Sequence, residues 1–136
     1  MSLSNTAEND IVALLFNATA LNVAYGGSLY ISLHTADPGE AGGQTTSEAN
    51  YGGYARVTVA RTSGGFTVTG NVASNAAAVT FAECTSGTNT ITHVGIGTAS
   101  GGAGRLIASG TISPSVNVST GVTVSFAAGA LTFSLD

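Results

Sequence analysis

The stretch Thr90–Ile112, TITHVGIGTASGGAGRLIASGTI, decides how the rest of the chain is read. Two apolar runs flank a spacer of small residues, Thr98–Gly104. In an extended chain, Thr90, Thr92, Val94 and Ile96 share one face, and Ile91, His93 and Gly95 share the other. On the return, Leu106, Ala108, Gly110 and Ile112 lie together, opposite Arg105, Ile107 and Ser109. Period-two alternation around a glycine-rich spacer predicts a β-hairpin. Neither face is strongly polar, so both are expected to be covered, as in the middle of a sandwich.

Composition narrows what such a hairpin belongs to. The chain has 136 residues, which suits one domain with a core that needs no disulfide staple. Its one cysteine, Cys84, has no partner for an internal bridge. Only 7% of residues are charged, against roughly 25% in an ordinary domain. A surface that bland suits a protein packed against copies of itself or against partners. With three arginines, no lysine and a net charge of −4, no basic patch exists to neutralise phosphates, so nucleic acid is not an expected partner. No apolar run reaches the ~18 residues of a membrane span. The opening MSLSNTAEND lacks the features of a secretory signal.

Outward from the hairpin, one helix is expected over residues 5–18. Asn5 is its candidate cap and Glu8 stands three residues on, as in a capping box. Ile11, Leu14, Leu15 and Ala18 form an apolar stripe that must be buried somewhere. Leu29–His34 alternates as a strand and is stopped by Asp37-Pro38-Gly39. Residues 36–53 read as a long loop, and loops of that length are often functional. Ala55–Arg61, Phe66–Thr69 and Ala77–Phe81 read as short strands, with Gly70-Asn71 a turn and Val72–Asn75 ambiguous. Pro114 begins a separate segment carrying Val116 and Val118. Val122, Val124 and Phe126 make a further strand, and Leu131, Phe133 and Leu135 a last one that runs to Asp136. About eight or nine strands at roughly ten-residue spacing predict an all-β fold: a two-layer antiparallel β-sandwich, jelly-roll or Ig-like, with one N-terminal α-helix. The domain reading is a single unit over 1–136, with the sandwich over 28–136.

The chemistry-bearing residues are few. His34 and His93 lie on strands without the partners of a metal site, and read as locally hydrogen-bonded. Asp37, Glu40 and Glu48 share the long loop without Ca²⁺-loop spacing, and read as a solvated acidic segment. Cys84 has no basic neighbour in sequence and reads as a small buried residue. Gly95, Gly97, Gly101, Gly102 and Gly104 lack the strand–turn–helix context of a nucleotide site, and are assigned to the hairpin. Tyr51, Tyr54 and Arg56 border the long loop and are the candidate partner-binding residues. The alternative for them is internal: Tyr54 packed under the loop, and Arg56 paired with Glu40 or Glu48. No catalytic constellation, cofactor site or metal site is expected.

Several segments, in this order, resemble a known family. They are Ser4–Asn9 (SNTAEN), Leu29–Pro38 (LYISLHTADP), Gly53–Val57 (GYARV), Ile91–Gly95 (ITHVG) and the ending Ala128–Asp136 (AGALTFSLD). The chain is similar to the small tailed-bacteriophage and prophage proteins commonly labelled "tail fiber protein", and the likeness covers nearly its whole length, as a complete member would. The resemblance implies a non-enzymatic structural component of the virion. It would assemble with copies of itself and with other virion proteins, either decorating the capsid as a cement or forming part of the tail. The alternative it leaves is a receptor- or glycan-binding tail module, in which Tyr25, Tyr51 and Tyr54 would stack on host-surface sugars. The family supplies no binding residues to carry over.

Overall fold

The computed structural model describes residues 1–21 and 25–135. Part of the expected exit from the helix, Thr19–Gly27, and the expected end of the last strand at Asp136 lie outside these residues. One helix, α1 (Asn5–Asn17), and ten strands are present among them: β1 (Ser2–Leu3), β2 (Ser28–His34), β3 (Val57–Ala60), β4 (Phe66–Thr69), β5 (Val72–Asn75), β6 (Val79–Thr80), β7 (Asn89–Gly97), β8 (Leu106–Val118), β9 (Ser125–Phe126) and β10 (Thr132–Ser134). All pairings are antiparallel. One layer is a five-stranded sheet in the order β1-β8-β7-β2-β3. The other holds the sheet β10-β5-β4 and the ribbon β6-β9. The result is the expected antiparallel sandwich with one N-terminal helix.

The expected hairpin, β7–β8, lies inside the larger sheet and is flanked by β2 on one side and β1 on the other. Cross-strand pairs Ile31↔Ile96 and Leu33↔Val94 set one face of this sheet into the core. There they meet Val79, Phe81, Val124 and Leu131 from the second layer. The alternation read from sequence fails at two register shifts, one between Ile96 and Gly97, which parts Leu106 from the face of Ala108, and one near Ile91. Ile91 and Val94 were assigned to opposite faces, yet both belong to the core. Register shifts between Ile91 and His93, where β8 spends more residues than β7, and the extra residues rotate the pattern. Pro114, which has no N–H to give, falls in that unpaired interval, so β8 continues through it instead of starting anew after it.

Two other segments differ from expectation. Val72–Asn75 is the partner strand of β4 across the Gly70-Asn71 turn. Its last residue explains why. The Asn75 side chain is buried, donates to the carbonyls of Ala77 (2.8 Å) and Ala127 (2.9 Å), and accepts from the Leu131 amide (2.9 Å). One amide therefore ties β5 to the turn before β10. The expected Val122–Phe126 strand shortens to Ser125–Phe126, because Val122 and Val124 offer their carbonyls to Cys84 and Phe81 outside a regular ladder.

The cap of helix α1 lies one residue earlier than expected. Ser4, not Asn5, is the N-cap: its hydroxyl accepts from the Ala7 amide (3.3 Å) and donates to the Leu106 carbonyl on β8. That second partner is a tertiary contact, which makes Ser4 the better cap. The apolar stripe is also not buried as expected. Ala7 alone is buried on this helix, and Leu14 is more than a third exposed. Val12, Leu15 and Phe16 are 56%, 69% and 80% exposed.

Candidate functional site

The inner face of the large sheet meets the second layer. Its outer face is covered by the 36–53 loop, which packs over β2 and β7 and onto the 98–104 hairpin tip. Three glycines make room for it. A Cβ at Gly95 would lie 2.7 Å from His34 Nε2, and a Cβ at Gly97 or Gly104 would run into the Gln44 side chain. Gly95 and Gly97 lie within β7, on the strand side of the hairpin. They form a floor on which His34 and Gln44 lie flat.

Gln44 is fully buried. Its Oε1 accepts from the Ala99 amide (2.9 Å), its Nε2 donates to the Ala99 carbonyl (3.4 Å), and its own amide donates to Ala103 (3.2 Å). Beside it, Arg56 grips Glu48 with two bonds, Nε to Oε1 (2.6 Å) and Nη2 to Oε2 (2.8 Å). The same guanidinium donates to the carbonyls of Ala99 (2.8 Å) and Gly102 (2.7 Å) on the hairpin tip. Bidentate, charge-assisted pairing of this kind is among the stronger hydrogen-bonding arrangements available to a side chain. The bonds to Glu48 raise the Arg56 pKa above its ordinary value and outweigh the opposing effect of burial. Tyr54 completes the node: its hydroxyl donates to Glu48 Oε1 (2.9 Å) and accepts from the Leu33 amide (3.1 Å). Burial is the main reason its phenol is pushed well above the ordinary tyrosine range.

His34 lies under the same loop. Its Nδ1 is 2.8 Å from the Thr46 carbonyl, which only accepts, so Nδ1 carries the proton and Nε2 accepts from the Ser32 hydroxyl at 2.8 Å. Burial lowers its pKa below 6.5. His93 stands opposite it across the β2–β7 ladder and bonds Thr92 (2.9 Å) and Thr111 (3.3 Å). Among the described residues, no three His, Cys, Asp or Glu side chains converge as a metal site requires.

Placement of the candidate residues follows directly. Tyr51 and Arg56 are buried and Tyr54 is half-buried, so the three do not form the exposed patch the sequence suggested. The internal arrangement is the one present, with Glu48 as the partner of Arg56. The acidic loop is correspondingly not wholly solvated: Glu48 is consumed by Arg56, and Asp37 Oδ1 accepts from the Gly39 amide (2.9 Å), while Glu40 is exposed. Tyr25 is also buried, and its hydroxyl donates to Asp10 (2.7 Å). Burial and that carboxylate push its pKa up to about 12. Arg105 bonds the same Asp10 oxygen at 2.6 Å, so α1 is pinned to the start of β8. Cys84 is fully buried, with its Sγ 3.3 Å from the Ser86 carbonyl. Sequence reasoning missed Gln44, Asp10 and Arg105. For Gln44 the only signal was indirect, in the glycines that later proved to face it.

No buried side-chain nitrogen or oxygen lacks a hydrogen-bond partner among the described residues. The polar groups of this site are spent on holding a long loop rigid, which is what a structural module needs. A family model described as podophage GP4 fiber I protein gp80 matches residues 2–134, and the chain belongs to that family. It is a phage fibre-type structural protein and a component of the virion. No curated protein matches this chain.

Proposed function

We propose that the chain is a non-enzymatic, single-domain building module of the phage fibre, working by packing against copies of itself and adjacent fibre or tail proteins. The observation that carries this reading is the division of its surface chemistry. The polar side chains a ligand site would use, Glu48, Tyr54, Arg56, Gln44 and His34, are turned inward and bonded to one another or to backbone. The large apolar side chains left exposed are concentrated on α1, where Val12, Leu14, Leu15 and Phe16 stand. A module of this kind offers partners a rigid frame and an oily contact surface. Tyr51, Tyr54 and Arg56 serve it as the pillar under the 36–53 loop, and partners meet the loop and hairpin-tip backbone that the pillar holds in place. The fibre is favoured over the capsid shell by the family's own description.

Immunogold labelling of intact particles with an antibody against this chain tests the reading. Gold on fibres or tail is expected. Gold spread over the head shell would move the protein to a capsid-decorating role, and particles without label would refute the proposal.

A further inference from the structure

The outward face of α1 and an apolar slot left open by the described residues complement each other. Val12, Leu15 and Phe16 stand at i, i+3 and i+4 and share one helix face, with Glu8 one turn before Val12 on the same side. The opposite face of the helix is the anchored one: Ala7 is buried beneath it, and Asp10 holds both Tyr25 and Arg105. The chain's own sheet therefore does not cover Phe16.

Between the two layers at one end of the sandwich lies a slot of about 300 Å³. Leu29, Phe66, Val68, Ile96, Leu131 and Phe133 line it, and its accessible lining is wholly apolar. Val68, 69% exposed, carries that apolar surface outward. An apolar cavity of roughly 150 Å³ is enough to take a benzene ring, so this slot has room for one phenyl ring and part of a leucine. Arg61 also lines it and is exposed. Arg56 and Arg105 are both ion-paired, whereas no hydrogen bond or ion pair holds the Arg61 guanidinium among the described residues. Glu8 is likewise exposed and unpaired among them.

We propose that a second copy of this chain seats Val12, Leu15 and Phe16 of its helix in this slot, with its Glu8 facing Arg61, in a head-to-tail contact. The proposal rests on the reading of the chain as a repeated virion component and names the surface through which copies meet. The two unlike surfaces sit on one chain, one supplying the ring and carboxylate, the other the cavity and guanidinium. The three side chains expose roughly 400 Å² between them, and the contact as a whole falls below the ~1,200 Å² of a standard stable interface. Association is therefore weak in dilute solution and strengthened when several contacts act together in an assembly. Because the two surfaces differ, the contact is heterologous, and repetition closes a ring or extends a filament.

Sedimentation velocity of the full chain over a range of concentrations tests this. Wild type is expected to self-associate. Phe16→Ser removes the central ring and is expected to weaken association roughly thirty-fold, as for a hot-spot residue. Arg61→Glu is expected to weaken it roughly tenfold through the misplaced charge. Both replace exposed side chains, and unchanged melting curves will verify the fold. Mixing these two variants is the decisive arm, since the slot of one and the helix of the other remain intact. A capped 1:1 pair of wild-type strength is expected. Glu8→Arg alone is expected to weaken association and Glu8→Arg with Arg61→Glu in one chain to restore it. A wild type that stays monomeric at every concentration, or variants that associate unchanged or do not cross-pair, would overturn the proposal. Particle labelling is independent of these outcomes, so the virion reading and the interface fail separately.

Discussion

Replacing Arg56 by methionine keeps most of the buried stem and removes the guanidinium. Four hydrogen bonds go with it: two to Glu48 and one each to the carbonyls of Ala99 and Gly102. Glu48 is then left with the Tyr54 hydroxyl alone, in a site where the two side chains are only 2% and 16% exposed. Breaking a buried ion pair from one side costs about 3–5 kcal/mol, because a desolvated charge is stranded. The residual exposure of Glu48 places the expected cost near the lower end, about 3 kcal/mol. For a chain of this size that corresponds to a fall in melting temperature of about 10 °C. Urea titration gives the free energy directly. The companion Glu48→Leu/Arg56→Met removes both charges and is expected to regain about 1–2 kcal/mol over the single variant. Hydrogen exchange adds a local readout: the Ala99 amide, which donates to Gln44, should exchange faster in the single variant before the core does. A loss below about 1 kcal/mol for Arg56→Met, or costs at the two positions that simply add, would refute the view that this pair clamps the loop.

Gly97→Ala drives a methyl group into Gln44, and a cost of about 2 kcal/mol is expected from thermal unfolding. Adding Gln44→Ala relieves the clash, so the double variant should be no worse than the single; a larger loss would remove the packing argument. Asn75→Leu deletes three side-chain bonds and leaves the Leu131 amide without its side-chain acceptor, with an expected cost of about 2–4 kcal/mol in urea, whereas near-neutrality would show that the turn before β10 closes without it. His34 is kept neutral by burial, with a folded pKa below 6.5. The unfolded chain therefore takes up its proton first as pH falls, so this contribution is complete above pH 6.5 and is lost progressively below it. His34→Gln should flatten that segment of the urea midpoint against pH, and an unchanged slope would place the effect elsewhere.

The hairpin, the strand Leu29–His34 and the buried state of Cys84 were legible because each depends on local alternation or on one residue's character. The covered outer face of the sheet was legible too, since neither face of the hairpin is strongly polar. The cover itself was not. Gln44 and His34 lie flat only because residues far along the chain lack side chains, and such complementarity leaves no periodic trace. The facing of His34 and His93 is equally non-local, being set by the β2–β7 register. Ser4 and Asn5 are both competent caps, and the tie is broken by the Leu106 carbonyl, 102 positions away. Tyr51 and Arg56 resembled contact residues by type, yet hot-spot composition and the composition of a buried polar pillar overlap. The helix stripe follows the helical period and still remains uncovered, because periodicity specifies which face is apolar and not which molecule will cover it.

Quantitative mass spectrometry of purified, salt-washed phage particles tests the central claim most directly. The account predicts this chain in several copies per particle, at a fixed ratio to the major structural proteins and retained through repeated washing. Its absence from washed particles, with the protein recovered only from the infected-cell lysate, would contradict the account.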